Sequence, residues 1–324
     1  MVRPLAFTSK KWKHQANSGK NEARRDMPKF PIKGVMPPMI TPFKEDGEVD
    51  YEAFQFNLEK WNNKGLTGFL VAGSNSETPY LDETEKLKLI ELTVQSVEHE
   101  KLVVVGTGLE STRATIELTN KAARLGAKAA LLLTPNYYVD SMGDEAQLQY
   151  FTDIADHANI PVMIYNVTKF THINISPAVV SKLSRHPNIL GMKDSSGNIA
   201  QLVKFQVNGL DPEFNLLVGT ASAWNPALQI GIKASIMALA NCCPQECVDV
   251  QTLFDEGKRQ ESLELYKRLY PVNEVVTAKF GVSGLKYACD RLGFKGGFTR
   301  KPLLNISDDQ RRKIDEILFA AELI

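Results

Sequence analysis

The stretch that decides the fold is residues 102–134, LVVVGTGLESTRATIELTNKAARLGAKAALLLT. Two almost wholly apolar runs, Leu102–Gly106 and Ala129–Thr134, enclose a segment with helical spacing, Thr112–Leu125. Gly126 then stands where the glycine that ends a helix is expected. Uniformly apolar strands suit a parallel sheet that is covered on both faces. The stretch therefore predicts a strand–helix–strand unit of an α/β protein.

The same alternation continues on both sides of this unit. Further strand candidates are Val35–Ile40, Gly68–Ala72, Pro161–Asn166, Ile189–Lys193, Phe214–Val218 and Ala234–Leu239. Helical segments between them include Tyr51–Asn62, Glu83–Val97, Glu145–His157 and Pro177–Leu183. Repeated β-then-α units of this kind favour a closed (β/α)8 TIM barrel over an open doubly wound sheet. We predict the barrel over residues 34–244 and a C-terminal extension of helices packed on it over residues 245–324.

Composition narrows the class of protein. Lys+Arg and Asp+Glu both number 38, so a neutral chain gives no reason to expect binding to nucleic acid or to an anionic membrane. No apolar run approaches the roughly 18–20 residues that a membrane span needs. The histidines lack metal-ligand spacing, and the four cysteines are expected as buried free thiols rather than as a zinc site. We expect a soluble, intracellular, cytoplasmic protein without a metal.

Residues 1–33 differ from the rest because they carry nine Lys and Arg against one Glu and one Asp. Two interpretations remain open. The segment is either a disordered, solvated extension or an organelle-targeting presequence, since such presequences are basic and poor in acids. The second interpretation would make the protein mitochondrial.

The reactive residues of such a barrel are expected at the carboxyl ends of its strands. Lys193 directly follows the apolar run Ile189–Met192. Desolvation there would favour the neutral amine, which is the form that attacks a carbonyl to give a Schiff base. The alternative is a strand-end lysine that reaches solvent or pairs with Asp194.

Other polar residues follow neighbouring strands. Tyr165 could move protons near the lysine, or be a core tyrosine with a satisfied hydroxyl. Tyr137 and Tyr138 are loop aromatics at the same end of the barrel. Ser74 and Asn75 lie in a turn whose backbone N–H groups could hold a carboxylate, although ordinary turn chemistry explains them as well.

One competing signal points to a different class of enzyme. Leu102–Ser111 resembles a strand running into G-x-G-x-x-S, a degraded dinucleotide fingerprint whose third glycine is replaced by Ser111. The corresponding alternative is a NAD-type oxidoreductase.

Six short motifs in order resemble the dihydrodipicolinate synthase/N-acetylneuraminate lyase family of Schiff-base barrels. They are P-M-I-T-P-F at 38–43, G-S-N-S-E at 73–77, T-P-N-Y-Y at 134–138, I-Y-N-V at 164–167, G-M-K-D at 191–194 and A-L-A-N at 238–241. The resemblance implies a TIM barrel that acts on pyruvate or another 2-oxo acid through a lysine, without a cofactor. It also implies a homotetramer built as a dimer of dimers.

Carried over position by position, the resemblance implies a Schiff-base lysine at Lys193 and a proton-transferring tyrosine at Tyr165. It places a relay hydroxyl at Ser74 and, at Tyr137, a tyrosine that enters the neighbouring subunit's site. The backbone amides of Ser74 and Asn75 would hold the pyruvate carboxylate.

Further positions would line the pocket. Gly219 and Ile236 match positions around the lysine, and the loops at Phe170 and Ser195 are expected to select the aldehyde half of the substrate. Phe170 stands where the synthase branch has an arginine for the carboxylate of its second substrate, and phenylalanine cannot make that bidentate contact.

The finer resemblance is to eukaryotic 4-hydroxy-2-oxoglutarate aldolases. It rests on G-S-N at 73–75, E-S-T-x-A-T-x-E-L-T-like residues at 110–119, K-D-S at 193–195 and K-F-G-V-x-G-L-K-like residues at 279–286. We therefore expect cleavage of 4-hydroxy-2-oxoglutarate to pyruvate and glyoxylate. Dihydrodipicolinate synthase and a 2-keto-3-deoxy sugar acid aldolase remain as alternatives.

Overall fold

Eight parallel strands form one sheet in the computed structural model, which describes residues 29–324. The strands are β1 Gly34–Met36, β2 Gly68–Val71, β3 Leu102–Gly106, β4 Ala129–Leu133, β5 Val162–Asn166, β6 Ile189–Asp194, β7 Asn215–Val218 and β8 Ala234–Ile236. The order is β1-β8-β7-β6-β5-β4-β3-β2. The two interpretations of the basic segment 1–33 concern residues 1–28, which lie outside the described residues.

The two ends of this sheet also meet. Met39 N donates to Leu70 O at 2.8 Å, and Thr67 N donates to Val35 O at 3.1 Å, so backbone hydrogen bonds join the β1 and β2 segments. The predicted (β/α)8 TIM barrel is therefore confirmed.

Twelve α-helices surround or extend this barrel within residues 29–324. They are α1 Tyr51–Asn62, α2 Glu83–Ser96, α3 Thr112–Arg124, α4 Asp144–His157, α5 Thr168–Thr171, α6 Pro177–Ser184, α7 Ile199–Val207, α8 Trp224–Gln229, α9 Pro244–Asp255, α10 Arg259–Val272, α11 Gly281–Arg291 and α12 Asp308–Ala320. A π-helical segment, Asn273–Lys279, joins α10 to α11. The predicted C-terminal helices are thus present.

Two predicted strands end earlier than expected. The first was expected to reach Ile40 but ends at Met36, since Pro37 and Pro38 cannot donate to a ladder. The last was expected to reach Leu239 but ends at Ile236, because residues 238–241 form a 3-10 turn instead.

The strand alternation divides the core into two layers. One lies inside the barrel and includes Met36, Leu131, Met163 and Leu217. The larger layer lies between the sheet and the helices. All four cysteines are free and buried. Within residues 29–324, no helix is long and apolar enough to cross a bilayer.

Asn241 connects the segment after β8 to the segment after β1 through hydrogen bonds. Its fully buried side chain donates to Pro38 O at 3.0 Å and to Ala238 O at 2.9 Å. Its oxygen accepts from Ile40 N at 3.0 Å. These bonds hold two segments that are far apart in the sequence.

Replacing Asn241 by alanine should lower the free energy of unfolding by about 2–4 kcal/mol, because buried backbone groups lose their partners. Urea unfolding measures the change. The control is Asn63→Ala, which removes an exposed side-chain bond to Glu59 O and should cost within about 0.5 kcal/mol. If Asn241→Ala lowers the free energy of unfolding no more than the control does, Asn241 does not stabilise the contact between these two segments.

Candidate active site

Lys193 lies inside the barrel. It pairs in register with Tyr165 of β5 and with Leu217 of β7, and both neighbours belong to the inner core layer. Only 3% of Lys193 is exposed. Its side chain therefore does not reach solvent. The alternative interpretation, a strand-end lysine that extends into solvent, is wrong.

Asp194, which the alternative interpretation pairs with Lys193, bonds to other residues instead. Its carboxylate accepts from Asn166 Nδ2 at 2.7 Å and from Gln201 Nε2 at 2.9 Å. It also accepts from the backbone N–H of Ser196 at 3.0 Å. These donors satisfy the buried carboxylate and order the loop that follows β6.

The surroundings of Lys193 favour its neutral form. Burial lowers the pKa of the Lys193 amine below its ordinary value, and the Tyr165 hydroxyl opposes this effect more weakly. The amine nitrogen lies 4.3 Å from the centre of the Tyr165 ring. A larger fraction of free amine is therefore present at neutral pH than for a solvated lysine, which suits a nucleophile.

Gly219 provides the space beside this lysine. A Cβ atom at that position would come 2.8 Å from Lys193 Cε and 1.8 Å from Ser195 Oγ. Among the described residues, the buried Ser195 hydroxyl has no hydrogen-bond partner. Ile236, fully buried, ends β8. The structure thus brings Lys193, Tyr165, Gly219 and Ser195 together.

Ser74 and Asn75 belong to a 3-10 turn, Ser74–Ser76, directly beyond β2. Ser76 fixes this turn, since its hydroxyl donates to Met39 O at 2.6 Å and accepts from Gly73 N at 3.2 Å. Ser76 therefore anchors the turn to the segment after β1.

A cavity of about 580 Å³ opens at this end of the barrel. Ser74, Asn75 and Phe170 line it, as does Leu133, which pairs with Tyr165. The other side of the cavity comes from the C-terminal part of the chain, namely from Thr277, Phe280, Gly281, Val282, Ser283, Leu303 and Leu304. None of these residues was among the predicted site residues, although the K-F-G-V motif at 279–282 marks part of this lining.

Tyr137 and Tyr138 lie at the rim. The two residues are 77% and 71% exposed, and their rings pack edge to face with centres 5.0 Å apart. The loop is held by Glu110, whose carboxylate accepts from Tyr137 N at 3.0 Å and from Asn136 N at 3.1 Å. In the single chain, Tyr137 is therefore largely exposed to solvent.

The degraded dinucleotide fingerprint has a packing explanation. A Cβ at Gly106 would come 2.2 Å from Ala72 O, and one at Gly108 would come 2.5 Å from Leu133 N. Ser111 caps α3 by accepting from Ala114 N at 3.1 Å. Close strand packing and helix capping account for all three residues, which removes the support for a NAD-type oxidoreductase.

A larger cavity of about 850 Å³ lies at the opposite end of the barrel. It is lined mainly by apolar residues such as Phe30, Ile32 and Ile160, and its lysines Lys33 and Lys128 are at least partly exposed. Without a buried nucleophile, it is not the candidate reaction centre.

A closed (β/α)8 barrel with a desolvated lysine near one strand end is an arrangement that suits Schiff-base chemistry. The sequence pattern of the dihydrodipicolinate synthetase family matches residues 31–321. The chain belongs to that family, whose members are pyruvate-dependent class I enzymes.

Sequence and structural similarity to known proteins extends over nearly the whole chain. A 4-hydroxy-tetrahydrodipicolinate synthase of Methanothrix thermoacetophila is 32% identical over 89% of this chain and 96% of its own. A crystal structure of dihydrodipicolinate synthase from Aquifex aeolicus superposes with a TM-score of 0.84 at 31% identity, over 90% of this chain and 99% of that one. A pyruvate complex of the Acinetobacter baumannii synthase gives 0.83 at 25% identity, over 91% and 100%. The finer resemblance to 4-hydroxy-2-oxoglutarate aldolases gains no support from these relatives.

The lowered pKa of Lys193 predicts a pH dependence for adduct formation. With pyruvate and borohydride, the initial rate of adduct formation should rise with pH and then reach a plateau, because only the free amine attacks. The midpoint of the rise should lie below the ordinary lysine pKa of about 10.4. Mass spectrometry should locate the adduct at Lys193.

Lys193→Met is the control. This variant should form no adduct. Its free energy of unfolding at pH 7 should exceed that of the wild type by on the order of 1 kcal/mol, since the substitution removes a buried amine. A midpoint at or above the ordinary value would contradict the desolvation argument.

Proposed function

We propose that this chain is a class I pyruvate aldolase whose covalent catalyst is Lys193. The single observation that supports the proposal is the burial of this amine beside Tyr165, at the cavity end of the barrel. The lysine itself provides the electron sink, so the reaction requires neither a cofactor nor a metal.

The proposed cleavage begins when the Lys193 amine attacks the 2-oxo carbon of the substrate. Tyr165 donates its proton to the carbonyl oxygen, which leaves as water, so that a protonated imine and a Tyr165 phenolate form. Tyr165 accepts the proton of the C4 hydroxyl, the C3–C4 bond breaks, and its electron pair moves toward the imine nitrogen. The aldehyde departs, C3 is protonated, and water releases pyruvate from the lysine.

The remaining residues would bind and relay. We propose that the backbone N–H groups of Ser74 and Asn75 hold the substrate's C1 carboxylate, because both line the cavity from a fixed turn. The Ser74 hydroxyl would connect Tyr165 with Tyr137 of a second subunit. Gly219 and Ile236 would shape the pocket around the imine, and Ser195 would face the substrate.

A tyrosine shared between subunits requires an oligomer. The exposed Tyr137–Tyr138 pair at the rim supports such an interface, because aromatic side chains are enriched in the buried parts of interfaces. We propose a homotetramer built as a dimer of dimers, and analytical ultracentrifugation of the chain would test it.

For the aldehyde half, we propose glyoxylate, released from 4-hydroxy-2-oxoglutarate. Phe170 lines the cavity and is 51% exposed, and its ring cannot form a bidentate bond to a carboxylate. Lys169 also lines the cavity and offers a single point charge on a flexible stem. A small second product with one carboxylate agrees with these side chains.

The second candidate is the synthase reaction, which condenses pyruvate with aspartate semialdehyde. Its support is the name that the curated relatives carry, over about nine tenths of this chain. A 2-keto-3-deoxy sugar acid aldolase is the third member of the same chemistry. All three share the steps at Lys193.

Steady-state assays with three substrates distinguish these candidates. We expect the highest kcat/KM for pyruvate release from 4-hydroxy-2-oxoglutarate, at least about tenfold above the other two reactions, because an arginine is missing at Phe170. The matched variant Phe170→Arg should raise the rate with aspartate semialdehyde. Higher kcat/KM of the wild type for the synthase reaction would reject the glyoxylate proposal.

Replacing Tyr165 by phenylalanine should lower kcat by roughly 100-fold or more, the usual contribution of a proton-transfer group. Borohydride trapping of pyruvate should persist, since Lys193 remains buried. The control is Tyr138→Phe, which lies at the rim and should keep kcat within about twofold. An unchanged kcat in the Tyr165 variant would show that another group transfers the proton.

A further inference from the structure

A buried ion pair adjoins the Ser74–Ser76 turn. Glu77 Oε1 is 2.6 Å from Lys286 Nζ, and the two side chains are 1% and 2% exposed. Glu77 is the residue that follows the turn, whereas Lys286 belongs to α11 of the C-terminal helices. The pair therefore links the proposed carboxylate cradle to a part of the chain outside the barrel.

Both partners have additional contacts that fix their positions. Lys286 also donates to Phe298 O, and its nitrogen lies 4.5 Å from the centre of the Phe43 ring. The second carboxylate oxygen of Glu77 accepts from Arg300 N at 2.9 Å. Glu77 is thus bound from two separate points of the C-terminal part of the chain.

Glu77 has an unusual backbone conformation at the end of the turn. Glu77 has φ 57° and ψ 38°, the left-handed region that residues other than glycine rarely adopt. Its N–H donates to Ser74 O at 3.2 Å. A strained conformation of this kind persists only where its surroundings impose it, and the buried carboxylate is the group that they hold.

Stability alone does not account for the pair. Taking two charges out of water is costly, and apolar residues of similar size are often as stable or more so. Burial lowers the pKa of Lys286 to about 8, even though Glu77 acts in the opposite direction. Desolvation thus outweighs the attraction, and a positional purpose explains the pair better.

Arg300 secures the neighbouring segment in a similar manner. Its guanidinium makes two bonds of 2.6 Å to Glu85 and one of 2.8 Å to Tyr80 O. The chain from the turn to the start of α2 is therefore held against the C-terminal part at two places.

We propose that Glu77 and Lys286 are positioning residues that hold the Ser74 and Asn75 backbone N–H groups in the orientation that binds the substrate carboxylate. The inference rests on the proposed function, because it assigns that carboxylate to this turn. Lys193 would keep its reactivity without the pair, whereas the affinity for pyruvate would not be retained.

The experiment compares Glu77→Gln, Lys286→Met and the double variant with the wild type. The pyruvate concentration that gives half-maximal borohydride trapping at Lys193 is measured by mass spectrometry, and stability is measured by urea unfolding. Each single variant leaves one buried charge unpaired and should lose stability. The double variant removes both charges and should regain it.

All three variants should need at least about tenfold more pyruvate for half-maximal trapping, because the turn is no longer held. The double variant is decisive, since it should combine recovered stability with weak binding, which a purely structural role would not produce. The amount trapped at saturating pyruvate should stay within about threefold of the wild type, because the lysine is intact.

The matched control is Asp315→Asn. It breaks the 2.6 Å pair between Arg291 and Asp315, which ties α11 to α12 without contacting the turn. Its half-maximal pyruvate concentration should stay within about twofold of the wild type, as expected for a change distant from the site.

A folded double variant that traps pyruvate like the wild type would overturn the inference while leaving the proposed function intact. If the double variant does not fold, Glu77→Asp makes the same test, since it keeps the charge but shortens the side chain. A wild-type chain that traps no pyruvate at Lys193 would instead overturn the proposed function, and the inference with it.

Discussion

The burial of one amine is the constraint on which the site depends. Lys193 can be held inside the sheet because the barrel is closed, because Gly219 leaves room for its side chain, and because Asp194 has other partners. Each condition concerns a different strand. The cost of removing the amine from water is the same property that makes it nucleophilic, so stability and reactivity are opposed at this position.

The fold could be predicted from the sequence because the information was local. Apolar runs such as Leu102–Gly106 alternate with segments of helical spacing such as Thr112–Leu125. The first strand ends early because of its own Pro37 and Pro38, whereas the end of the last strand depends on a distant residue. The segment after β8 turns instead of extending, and Asn241 bonds it to residues about 200 positions earlier, which no local window reveals.

The candidate site divides in the same way. Lys193, Tyr165 and the Ser74 turn follow strands, and their placement at one end follows from parallel strand order. The K-F-G-V motif at 279–282 marks part of the C-terminal cavity lining, but its position against the barrel could not be inferred, because helices packed on a barrel have no fixed register with its strands. The Glu77–Lys286 contact joins residues 209 positions apart for the same reason.

The shared cavity also separates two tasks along the chain. The groups assigned to bond making lie on the strands and their loops, whereas much of the cavity lining comes from the π-helical segment, α11 and the loop before α12. Selection for new aldehyde partners could therefore act on a contiguous C-terminal stretch while the covalent chemistry is conserved. Mutant libraries or segment exchanges between homologues confined to residues 277–304 would sample substrate range directly, and a barrel trimmed at its last strand would lose one side of the pocket.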